Sequence, residues 1–158
     1  MLAGAIAGLR PDATIRGIEV LPRPVAAIEI EEFDGKSIPY PDGSFDVVML
    51  VDVLHHTPDP ASSLAEAVRV SRRSVLIKDH LSDGFLARPT LRFMDQVGNA
   101  RYGVSLPYNY WPKSEWLAAF DKLSLRTATW NEKPRLYQWP ASMVFGRSLH
   151  FISLLNRT

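Results

Sequence analysis

The sequence has 158 residues with 18 Lys and Arg against 17 Asp and Glu, a net charge of +1 that excludes a strongly basic nucleic-acid module and an acidic tail. It has no cysteine, which excludes disulfides, thiolate zinc sites, iron–sulfur clusters and a cysteine nucleophile. Hydrophobic residues at 46% and charged residues at 22% are those of one globular domain, and no apolar run reaches the length of a membrane span. A cytoplasmic location is expected.

Leu2 to Leu9 is rich in Ala and Leu and is predicted as a helix, broken by Pro11 in the run Arg10 to Asp12. Thr14 to Val20 (TIRGIEV) is rich in β-branched residues and is predicted as a short strand, stopped by LPRP, where Pro22 and Pro24 forbid regular pairing. Ala27 to Phe33 alternates apolar and acidic residues, the pattern of a strand with one wet face near a sheet edge. In PYPDGS, Asp42 and Gly43 supply a turn. Phe45 to Val51 (FDVVMLV) is almost wholly apolar and is predicted as a strand buried on both faces of a parallel sheet.

Asp59 is expected to cap a helix with Pro60 at its first position, and Leu64, Ala67, Val68 and Ser71 share one face of it. Arg72 and Arg73 are expected at its solvated end. Ser74 to Lys78 is a second buried-type strand, which makes a βαβ unit. After Asp83-Gly84 the alternation stops. Leu91, Met94 and Val97 suit a short helix, and Trp116, Phe120 and Leu123 another, with the aromatic stretch YGVSLPYNYW (102–111) between them. Leu125 to Trp130 and Leu149 to Leu155 are expected to pair antiparallel at one edge of the sheet.

In open α/β sheets ligands sit beyond the carboxyl ends of the strands. Glu19 ends the first predicted strand, where its carboxylate can accept from both hydroxyls of a ribose. Asp34 follows the second, placed to accept from an exocyclic adenine amine, and Gly35 lets the backbone approach the ring. The third strand ends at Val51-Asp52, just ahead of LHHTPDP. The run DGKSIPYPDGSFDVVMLVDVLHHTPDPASSLAEAVRV resembles the class I S-adenosylmethionine-dependent methyltransferases. It has the pattern of their small-molecule group: Asp, three residues, aliphatic-Pro-aromatic, then a Pro-Asp-x-Ser-Phe-Asp turn and strand. The likeness is dense from Glu19 to His80 and beyond it rests on PYNYW and the closing strand pair.

The resemblance implies an α/β chain with a Rossmann-like, three-layer methyltransferase sheet and S-adenosylmethionine as cofactor. It implies adenosine held by Glu19 and Asp34, with Gly35 beside it, and a methionine end lined by Val51 and Asp52. It further implies a small-molecule methyl acceptor covered by Tyr108, Asn109, Tyr110 and Trp111. The family's first strand and acidic-x-G-x-G-x-G loop are expected ahead of the Leu2 to Leu9 helix. Gly4 and Gly8, spaced G-x-x-x-G in a helical pattern, cannot form that loop. The sheet is therefore expected to be truncated at its N-terminal side and methyl transfer impaired, the alternative being a silent remnant that acts as a binding or partner protein.

His80, at the end of the Ser74 to Lys78 strand, is the candidate general base, because its ordinary pKa suits proton removal at neutral pH. His55 and His56 are expected to pack or cap beside the cofactor, and no metal is expected, since no pair of residues has metal-ligand spacing. Neither nucleic acid nor membrane is expected as a partner, and the oligomeric state is left open. The chain is expected to be one domain, with a cofactor-side half (1–84), a helical and aromatic cover (85–123) and the closing strand pair (124–158).

Overall fold

The computed structural model describes residues 2–22, 26–99 and 106–158; of the expectations above, those on Pro24 and Tyr102 to Ser105 lie outside these residues. The chain divides into two compact units between Pro39 and Tyr40.

In the first unit α1 (Leu2–Leu9) is followed by β1 (Arg16–Glu19) and β2 (Glu29–Glu32). The two strands pair parallel, from Arg16 opposite Glu29 to Glu19 opposite Glu32, and form a sheet of their own. A Cβ on Gly4 would lie 2.8 Å from that of Ala27, so glycine is what lets α1 approach the segment leading into β2.

The second unit opens with β3 (Phe45–Val51), a 3₁₀ turn (Leu54–His56), α2 (Pro60–Val70) and β4 (Ser71–His80). β3 and β4 run parallel with α2 between them, the expected βαβ unit. Asp59 caps α2 as its sequence requires, accepting from the Ser62 amide (3.1 Å) and hydroxyl (2.6 Å). There follow α3 (Ala87–Asn99), α4 (Lys113–Lys122), β5 (Leu125–Asn131), α5 (Ala141–Phe145) and β6 (His150–Arg157). The sheet order is β3-β4-β6-β5, with β6 antiparallel to both neighbours. The closing pair thus lies at one edge as expected, with β6 on the inside.

Strand geometry alternates the side chains of β4, so Val75, Ile77 and Asp79 are buried on one face opposite Leu155, Ser153 and Phe151 of β6. Leu64, Ala67 and Val68 of α2 and Trp116 and Phe120 of α4 complete this core.

Two expectations are corrected. β3 is not buried on both faces: it is an edge strand of its sheet, with Val47 49% and Met49 37% exposed, because only β4 pairs with it among the described residues. Arg72 and Arg73 do not end a helix. α2 stops at Val70, and both arginines lie on β4, exposed and 3.4 and 3.8 Å from Asp46. The expected face of α3 holds in part: Leu91 is buried and Met94 packs beside it, but Val97 is exposed.

Candidate active site

Glu19, Asp34 and Asp52 lie at or just past the ends of β1, β2 and β3. In the first unit Glu19 is exposed at the end of β1, with its carbonyl accepting from Phe33 N (3.1 Å). Asp34 Oδ1 accepts from the amides of Lys36 (2.8 Å) and Ser37 (2.9 Å). Those two amides hold its carboxyl below the ordinary value, so Asp34 is both a turn former and an ionised acceptor. Gly35 adopts φ +74°, and a Cβ there would lie 3.0 Å from Val20.

In the second unit Val51 ends β3 and Asp52 takes a left-handed backbone, φ 53°, uncommon for a residue with a side chain. Its amide donates to Lys78 O (2.8 Å), and Lys78 Nζ lies 2.5 Å from its Oδ1.

Beside Asp52 the fold gathers all four histidines of the chain, which sequence spacing alone did not bring together. The 3₁₀ turn places His55 against His56 (ring centroids 4.0 Å) and His80 (4.2 Å), and His80 lies 4.8 Å from His150. A buried carboxylate organises them. Asp79 Oδ1 meets His55 Nδ1 at 2.6 Å and accepts from His80 N (2.7 Å), while Oδ2 accepts from Leu54 N (3.0 Å). A second carboxylate, Asp95 of α3, lies 3.7 Å from His55 Nε2 and accepts from the Tyr110 hydroxyl. Tyr137 Oη is 3.3 Å from His150 Nε2. Asp79, Asp95, Tyr137 and His150 had no place in the expected site. Asp95 left one signal in the sequence, a carboxylate four residues from Leu91 on a helix face otherwise apolar, where burial demands a partner.

The charge states follow from these contacts. Burial opposes a charge on His55, but pairing with Asp79 and Asp95 outweighs it and raises the pKa to about 9. Burial, reinforced by the charges of His55 and Lys78, pushes His80 well below its ordinary value. Burial, with Lys78 nearby, lowers His150 to about 4. At neutral pH His55 is therefore an imidazolium, and His80 and His150 are neutral. Burial would raise Asp95, but His55 and Tyr110 hold it below its ordinary value. Burial and the bond to Asp95 push the Tyr110 hydroxyl up.

The aromatic segment is built into this cluster. Tyr110 is buried, Asn109 Nδ2 donates to Thr57 O (2.7 Å) and holds the 3₁₀ turn, and Trp111 packs on Trp116 (4.9 Å). Tyr108 lies under the Arg92 guanidinium, 4.8 Å from the ring centre.

The fold is that of a Rossmann-like α/β methyltransferase. Solved structures that share it include the following two. One is a chain from the complex between the Haloferax volcanii Trm112 methyltransferase activator and a methyltransferase, with TM-score 0.67 and 16% identity over 98% of this chain and 78% of that one. The other is a methyltransferase from Bacillus halodurans, with TM-score 0.63 and 15% identity over 97% and 87%. At such identities the likeness speaks for the fold alone.

Residues 9–77 match the family model described as methyltransferase domain. Over 45 residues the chain is 44% identical to the 27-O-demethylrifamycin SV methyltransferase of Amycolatopsis mediterranei, a match that covers 28% of this chain. The chain spans only 16% of that relative's length. The fold is thus shared with solved methyltransferases, and the match to the methyltransferase-domain family model covers residues 9–77, less than half of the chain.

Proposed function

We propose that this chain serves methyl transfer from S-adenosylmethionine to a small-molecule acceptor. The observation that carries the reading is that the family match over 9–77 spans three successive strands tipped by Glu19, Asp34 and Asp52. Ionised carboxylates accept hydrogen bonds and do not donate them, so Glu19 and Asp34 suit the ribose hydroxyls and the adenine amine. Gly35 would admit the ring, and Val51 and Asp52 would flank the methionine portion. The acceptor side falls to Tyr108, Asn109, Tyr110 and Trp111, with His80 behind them. The Amycolatopsis relative is named for a small molecule, and the net charge of +1 offers no excess of cations for a phosphate backbone.

A bound S-adenosylmethionine supplies a methyl group already activated by its sulfonium, so the residues mainly align acceptor and cofactor. A neutral but weakly basic His80 suits an acceptor that is acidic or that needs no base. One observation favours the second reading, a silent binding protein: Asp34 is engaged by its own turn and Asp52 by Lys78.

Calorimetric titration with S-adenosylmethionine tests the proposal, alongside Glu19→Ala and Asp34→Ala. Binding that weakens several-fold in each variant is expected. Binding unchanged in both would overturn the residue assignments, and binding without turnover on any small acceptor would favour the second reading.

A further inference from the structure

We propose that Asp52, His80 and His150 form a binding site for a divalent transition-metal ion of the zinc class. One ligating atom from each of the three lies within 4.8 Å of the others. A four-coordinate ion on two imidazoles and a carboxylate keeps one position open, the pattern of a catalytic rather than a structural zinc site. Two imidazoles and one carboxylate are a donor set that such ions favour over magnesium or calcium.

An independent observation points the same way. His150 is 3% exposed, and its Nδ1 has no hydrogen-bond partner among the described residues. A buried ring nitrogen left unpaired costs free energy, which a metal bond would remove. The outer contacts supply the orientation that metal-binding histidines require. Tyr137 Oη, 3.3 Å from His150 Nε2, can accept its proton and leave the Nδ1 lone pair for the ion. His80 turns Nδ1 toward Asp79 Oδ1 (3.6 Å) and His55 Nδ1 (3.2 Å), which frees Nε2. The place also holds a cation already, since Lys78 Nζ sits on Asp52 Oδ1, the position a metal would contest.

His55, His80 and Asp95 meet the same distance limit but are closed off. All three are buried, with Asp79 on His55 and the Tyr110 hydroxyl on Asp95. Asp52, by contrast, has a side chain 42% exposed, which gives an ion access and leaves its open position for water or an acceptor oxygen. The metal site stands on these contacts alone; its bearing on catalysis rests on the methyl-transfer reading.

The test is titration of the metal-free chain with Zn²⁺ by calorimetry, and with Co²⁺ by visible absorption, where a four-coordinate site gives intense bands. About one ion per chain is expected. Asp52→Asn, an isosteric change at a partly exposed position, should weaken binding at least tenfold, and His150→Gln likewise. Lys78→Met, which removes the competing ammonium, should tighten it, an outcome that no misfolded variant would give. No stoichiometric binding, or equal binding by wild type, Asp52→Asn and His150→Gln, would overturn the proposal. If zinc binds as expected and S-adenosylmethionine does not, the methyl-transfer reading fails and the metal site stands.

Discussion

Among the described residues two strand pairs run parallel, and they are stabilised very differently. β3 and β4 are joined by α2, whose Leu64, Ala67 and Val68 are buried with Val75 and Ile77 of β4. β1 and β2 are four residues each, and neither they nor α1 contain a fully buried side chain; Ile38 is the buried apolar residue of that unit among those described. Parallel pairing supplies hydrogen bonds in both, yet parallel sheets depend on covered faces, and among the described residues it is the β3–β4 pair that carries a buried cover of its own. Local propensity therefore suffices to place strands and a helix in the first unit, while cooperative stability is concentrated in the second.

The largest effect should come from emptying the second unit's core. Trp116 is 1% exposed, packs on Trp111, Phe120 and Phe151, and donates from Nε1 to His80 O (3.1 Å). Trp116→Ala should cost about 3–5 kcal/mol in urea denaturation. Ile18→Ala in β1 should cost about 1 kcal/mol or less, and similar losses for the two would break the contrast.

Asp79→Ala should be nearly as damaging, about 3–5 kcal/mol, because it strands the buried His55 imidazolium and the amides of Leu54 and His80. Faster hydrogen exchange at those two amides is the accompanying signature. In the unsubstituted chain, hydrogen exchange sharpens the comparison without mutation. Ile18 and Ile30 should exchange through smaller openings than Val75, Ile77 and Leu155, and equal protection would show that the first unit shares the second's stability.

The smallest effect belongs to the α2 cap. The Ser62 hydroxyl and amide lower the Asp59 pKa below that of the unfolded chain, so its contribution is complete above about pH 4 and lost as pH falls through the folded value. Asp59→Ala should lower Tm by a few degrees at neutral pH and converge on wild type in acid; a constant difference would mean that the carboxylate charge is irrelevant.

What the sequence disclosed was what depends on near neighbours. The α1 helix, the Asp59 cap, the antiparallel closing pair and the acids at the strand ends follow from propensity, capping chemistry and alternation. β3 was misjudged because FDVVMLV records apolar content and not which face has a neighbour. The histidine cluster was invisible for a related reason. His55, His80 and His150 come from three segments joined only through the sheet, and Asp79 reads in sequence as one polar residue at a strand end. Spacing rules find ligands on one helix or hairpin; they cannot find ligands that adjacent strands bring side by side.

The position of β6 bears on how the chain acquires its structure during synthesis. It pairs with β4 on one side and β5 on the other, and it follows both in the chain; Ser74 hydrogen-bonds Asn156 across a separation of 82 residues. A nascent chain that has emerged only as far as β5 thus presents two strands whose facing edges lack a mate. Closing so long a loop is slow, and bare edges recruit other chains. Until β6 slides into the gap, the protein is exposed to association with its own copies on neighbouring ribosomes, and chaperone demand should peak in that interval.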